Sequence, residues 1–159
     1  MIRHFARQLA VQALYQKEVG KLEETEVIQN IEAMVAAMKE EAYGLVEDNI
    51  TLADLNQLEE QFRLDDFCYG LVRGSFRHQD ELDSFIEANI SGWSLNRLNK
   101  VDKAILRLAA YELKYEKETA PEVVINEALE LTKEFTNADG KATAFNNKVL
   151  DQMKKSLEA

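Results

Sequence analysis

One cysteine, Cys68, and one proline, Pro121, stand among 159 residues. A lone thiol closes no internal disulfide, so a disulfide-stapled scaffold is excluded. Cys68 lies in an apolar helical pattern, and a buried thiol in a reducing interior is the expectation. With one proline and six glycines, long stretches run without a helix breaker, which argues against a many-turned β fold. No apolar run approaches the roughly 20 residues that cross a bilayer. The N-terminus also has no apolar signal core behind its arginines. A cytoplasmic protein without membrane attachment is therefore expected. Histidine is scarce as well: His4 and His78 are far apart and no second ligand stands at metal-binding spacing. There is no glycine-rich phosphate loop and no serine in a nucleophile elbow. Neighbouring carboxylates such as Glu59-Glu60 and Asp65-Asp66 do not face each other on a helix. No metal, no cofactor and no enzyme activity are expected.

What is present is helical periodicity. Hydrophobic residues at 46% and charged residues at 30% are values of a folded globular chain. A first helix is predicted from about Arg3 to Val19, ended by Gly20. Its core arc carries Phe5, Ala6, Leu9 and Ala13; the opposite arc carries Arg3, His4, Arg7, Gln8, Val11, Gln12 and Tyr15. Further helices are predicted over about 24–42, 52–62 (capped by Thr51 or Asp54), from Asp65-Asp66 onward, and over about 80–90. Trp93 and Leu95 anchor a turn before a long helix over about 99–118, apolar on much of its circumference and so wrapped by neighbours. Pro121 opens the next helix, Asn137 to Gly140 breaks it, and a last helix runs to about Leu157. Gly70 and Gly74 read as small residues for close helix packing. The fold class expected is all-α, about seven helices, with residues 1–159 as one domain.

The net charge of -10 argues superficially against nucleic acid, but its distribution does not. Residues 1–21 carry Arg3, Arg7, Lys17 and Lys21 against Glu18 alone. Residues 22–66 carry Lys39 and Arg63 against thirteen acids. The first helix is thus locally basic, and the acidic segment reads either as a solvated face or as a surface for a basic partner. Arg3 and Arg7 lie one turn apart with Tyr15 on the same general side. Guanidinium groups grip phosphates and a tyrosine ring stacks on unpaired bases. The same residues also fit an ordinary surface, with Tyr15 packed and its hydroxyl at the surface. Arg107, set between Leu106 and Leu108, reads either as a basic contact beside Lys103 or as a core-flanking arginine paired to a carboxylate. Phe145 reads as core at spacing four from Val149, and Asn147 as a backbone-bonding residue.

Ordered phrases along the chain sharpen these alternatives. Ala6 to Tyr15 (ARQLAVQALY), Trp93 to Leu98 (WSLNRL), Ile105 to Leu113 (ILRLAAYEL), Pro121 to Ala128 (PEVVINEA) and Phe145 to Asp151 (FNNKVLD) resemble, in that order, the signatures of the NusB family of transcription antitermination factors. The resemblance implies two packed helical sub-bundles. It also implies a complex with the small-subunit ribosomal protein called NusE in this role. The pair would bind single-stranded boxA RNA of nascent ribosomal transcripts and act on the RNA polymerase elongation complex. By motif position, the RNA side would include Arg3, His4, Arg7, Tyr15, Arg107, Lys141, Phe145 and Asn147, and Asp102 would meet the protein partner. Homodimerisation over the RNA face is a further arrangement known among such proteins. The chain departs from the family phrase Phe-Val-Asn-Gly: Asn146 stands for valine and Lys148 for glycine. The rival reading is an acidic helical interaction module that never touches RNA.

Overall fold

The computed structural model describes residues 1–92, 94–136 and 140–159. The turn anchor expected at Trp93 and the break expected at Asn137, Ala138 and Asp139 lie outside the described residues. Eight α-helices are found among the described residues: α1 (Arg3–Gly20), α2 (Glu24–Gly44), α3 (Leu52–Gln61), α4 (Asp66–Arg77), α5 (Gln79–Glu87), α6 (Lys100–Tyr115), α7 (Pro121–Thr136) and α8 (Lys141–Glu158). A single 3-10 turn, Leu95–Arg97, precedes α6, and there is no strand among these residues. The all-α expectation holds.

Short-range chemistry places four of the eight helix starts. Thr51 Oγ1 accepts from the Asp54 amide at 3.1 Å while the Asp54 carboxylate accepts from the Thr51 amide, a reciprocal capping box. Asp65 accepts from the Cys68 amide at 2.9 Å, and Asn99 from the Asp102 amide at 2.7 Å. Pro121 is the first residue of α7. At the end of α1 the left-handed conformation falls on Lys21 (φ 52°), one residue beyond the expected stop at Gly20. Gly140 enters α8 at φ 81°, a backbone geometry that glycine adopts without a Cβ penalty.

Helices α1, α2, α3 and α4 pack on one another, as do α5, α6, α7 and α8. The two groups join where α6 meets α1 and α4 and where α5 meets α4, with side chains of α1 also reaching α7. That is the two sub-bundle arrangement. Helix α6 is enclosed by α1, α4, α5, α7 and α8, and Ile105, Leu106, Leu108 and Ala109 are all buried. Each such leucine or isoleucine contributes about 1.5–3 kcal/mol on leaving water. Cys68 is buried in the same core, and burial pushes its thiol up to about 12, which makes it unreactive. Of the two glycines expected at close approaches, only Gly74 is at one. A Cβ there would lie 2.2 Å from the Tyr111 ring, whereas nothing lies within 4 Å of one on Gly70.

The expected faces of α1 are corrected. Ala6, Leu9 and Ala13 are buried as anticipated and Phe5 is partly buried, but Arg7 and Val11 from the supposed outer arc are buried too. The cause is that α1 is covered from more than one side, by α2 and α4 and by α6. A helix so placed has no broad solvent face for its polar residues.

Candidate nucleic-acid interface

Arg7 anchors the junction of α1, α6 and α7. Its Nε and Nη2 donate to the Glu112 carboxylate at 2.9–3.1 Å, and Nη1 lies 3.7 Å from Glu127. The side chains of Arg7 and Glu112 are 4% and 2% exposed. Burial raises the Glu112 carboxyl above its ordinary range, and the guanidinium works against that rise. Arg7 was expected to meet RNA; its donors are instead committed inside the protein, because a buried carboxylate left without a partner is costly.

Arg107 is corrected in the same way. It is 6% exposed, and its Nε and Nη2 donate to Asp83 at 2.7 and 3.0 Å while Nη1 pairs with Glu18. Lys103 reaches the same Glu18 carboxylate at 2.8 Å. Burial alone would raise the Glu18 carboxyl, but these two cations outweigh it and hold it below the ordinary range. Of the two sequence readings of Arg107, the paired, core-flanking one describes the fold. Asp102, expected at the partner surface, is 7% exposed and turned inward. It accepts from Asn99 Nδ2 at 2.7 Å and from Asn146 Nδ2 at 3.3 Å.

Asn146, the residue in place of the family's valine, is fully buried. Its amide donates to Asp102 and to Thr132 Oγ1 (3.1 Å), tying α6, α7 and α8 together, while its carbonyl oxygen finds no partner among the described residues. The substitution therefore alters the interior. Lys148, in place of glycine, is exposed.

The remaining expected residues do face solvent, in two groups. Arg3 is exposed, its guanidinium 4.5 Å from the Phe67 ring centroid with Nη1 donating to Thr119 at 3.4 Å. His4 lies between two carboxylates, with Nδ1 at 2.7 Å from Glu127 and Nε2 at 2.6 Å from Glu134. Gln8 donates to Glu134 at 2.5 Å. Tyr15 is 40% exposed, and its hydroxyl has no hydrogen bond among the described residues. The second group is on α8: Lys141 and Asn147 exposed, Phe145 half-buried. Helix α7 receives His4 and Gln8 on Glu127 and Glu134 and packs against α8, and its Leu129 and Lys133 line a shallow pocket with Thr143, Ala144 and Asn147 of α8. Sequence reasoning anticipated a carboxylate partner for Arg107 without naming it, and missed Glu112 as the partner of Arg7. A glutamate at position 112, inside an otherwise apolar run of α6, was the available signal.

The site carries a pH dependence. The Glu127 carboxylate, more than burial opposes it, raises the His4 imidazole above its ordinary value, with Glu134 adding to the effect. The charged imidazole is thus favoured by folding. Its contribution is full below the unfolded value, about 6.5, and is lost as pH rises through the higher folded value. The melting temperature is expected to fall over that window more steeply in the unaltered protein than in His4→Gln; parallel profiles would show that His4 is not held as an imidazolium.

Comparison with known proteins bears on this geometry. The family model described as NusB family matches residues 4–155. The transcription antitermination protein NusB of Bacillus subtilis (strain 168) is 37% identical over 158 residues, covering 99% of this chain and 98% of that protein. A solved structure of T. maritima NusB superposes with a TM-score of 0.69 at 27% identity, covering 98% of this chain and 92% of that one. A crystal structure of antitermination factors NusB and NusE in complex with dsRNA gives 0.68 at 26% identity, covering 98% and 99%. This chain belongs to the NusB family of transcription antitermination proteins.

Proposed function

We propose that this antitermination factor works by binding single-stranded boxA-type RNA together with the NusE ribosomal protein, and that the assembly acts on the RNA polymerase elongation complex in the cytoplasm. Residues 1–159 serve as one RNA-binding domain, and the role is scaffolding without catalysis. The observation that carries the reading is the likeness, over nearly the whole chain, to a NusB solved with NusE and dsRNA. The surface supports it: Arg3 for phosphate and Tyr15 for an unstacked base on α1, and Phe145 for a further base with Lys141 and Asn147 on α8. Arg7, His4 and Arg107 hold the helices that present these groups. With its exposed acidic segment 22–66, the chain suits a basic protein partner electrostatically.

Homodimerisation is a second reading, favoured by an apolar groove of about 770 Å³ lined by Met1, Ile2, Phe5, Met38 and Phe62, beside Arg3. One experiment addresses both. Fluorescent boxA-type RNA, single-stranded and duplex, is titrated with the protein, with and without NusE, across a salt series and several protein concentrations. Binding that needs the partner, weakens with salt and weakens further in Arg3→Glu is expected. Affinity that drops as protein self-associates assigns the groove to a dimer. If no RNA binds under any condition, the acidic interaction-module reading replaces this one.

A further inference from the structure

Between the end of α5 and the face of α8 lies a cleft of about 320 Å³, walled by Ala88, Asn89, Ile90 and Ser91 on one side and by Phe145, Lys148, Val149 and Gln152 on the other. Resting on the RNA reading above, we propose that this cleft is a seat for one unstacked nucleobase of the bound RNA, with Lys148 on the adjoining phosphate and Gln152 selecting the base.

Four observations support this. The α8 residues recur at i, i+3, i+4 and i+7, so one helical stripe delivers an aromatic ring, a cation, an aliphatic floor and an amide to the same opening. Its size is near the lower end of the ligand-pocket range of roughly 300–1,000 Å³, suited to a single flat group. The wall is held in place: Asn89 Nδ2 donates to the Phe85 carbonyl at 2.8 Å, and its Oδ1 accepts from Ser156 at 2.7 Å. The functional heads are not. The side chains of Lys148, Gln152 and Ser91 make no hydrogen bond or ion pair among the described residues. That differs from Arg7, Lys103 and Arg107, which are all absorbed by carboxylates. An amide offers both a donor and an acceptor to a base edge, the half-buried Phe145 ring offers a stacking surface, and the ammonium neutralises backbone charge. The residue that replaces the family's glycine thus extends the RNA surface toward α5.

The test uses the full chain with NusE and a boxA-type RNA in which each base in turn is replaced by an abasic site. Lys148 and Gln152 are exposed, so Lys148→Ala and Gln152→Ala are expected to fold normally, with circular dichroism as the control. Lys148→Ala should weaken binding to all sequences alike and reduce the slope of log affinity against log salt by about 0.7. Gln152→Ala should weaken binding about threefold to tenfold at one base position, and the penalty for an abasic site there should shrink by the same factor in that variant, the remainder being the stack on Phe145. If RNA binds but neither variant changes affinity and the abasic penalties persist, the cleft assignment falls while the RNA reading stands. Should Lys148→Ala weaken binding of NusE but not of RNA, a protein occupant replaces the base. If the unaltered protein binds no RNA, both readings fall together.

Discussion

Replacing Arg7 by alanine is expected to destabilise the fold by about 3–5 kcal/mol, since one member of a buried ion pair is left without its partner. At the roughly 2–4 °C per kcal/mol usual for chains of this length, the melting temperature falls by about 6–20 °C. Three hydrogen bonds to Glu112 and near-complete burial of both side chains underlie that figure. Coulomb attraction is not the source of the whole effect. Much of it is the desolvated Glu112 carboxylate, already pushed upward by burial while Arg7 is present. The apolar pair Arg7→Met with Glu112→Leu should therefore recover most of the loss, because neither charge is then stranded. Differential scanning calorimetry on the two single variants and the double variant gives the coupling. A melting temperature unchanged in Arg7→Ala would refute the buried pair. The result also decides how RNA data are read: a charge reversal at Arg7 would reduce binding by unfolding the junction of α1, α6 and α7, so Arg3 is the cleaner probe of phosphate contact.

Substituting Tyr15 by alanine is expected to have the largest functional effect, a loss of about 5- to 150-fold in boxA RNA affinity, equivalent to the roughly 1–3 kcal/mol of one base–aromatic stack. The ring is 40% exposed and its hydroxyl is unbonded among the described residues, so the fold depends little on it. Stability within about 1 kcal/mol of the unaltered protein is anticipated for a surface substitution of this kind. Tyr15→Phe separates stacking from hydrogen bonding: it should bind nearly as the unaltered protein does if the ring face carries the contact. A change below twofold in Tyr15→Ala, measured with NusE present and the fold intact, would remove Tyr15 from the interface.

Local order was legible in the residues themselves. The starts of α1 near Arg3 and of α6 near Asn99 follow from helical periodicity, the caps at Thr51 and Asp65 from side chains that take up free backbone amides, and Pro121 at the head of α7 from a ring with no amide to satisfy. The stripes Val124, Ala128 and Leu131 on α7 and Val149 and Met153 on α8 are equally local, and they are buried. The enclosure of α6 followed from an apolar surface too broad for a one-sided helix. Motif order then carried the family.

Which arginine meets solvent was not local. Arg3, Arg7 and Arg107 look alike in sequence, and only the packing of α1 and α6 sends the last two to Glu112 and to Asp83 and Glu18. Their partners lie 105, 24 and 89 positions away, beyond any helical period. Asp102 and Asn146 likewise found each other across 44 positions. The cleft between α5 and α8 is of the same kind, for only one of its walls has a sequence period. Periodicity specifies a helix and its apolar side because those depend on residues within a turn or two; the burial of a charge depends on what the remainder of the chain brings against it, and that is decided in three dimensions.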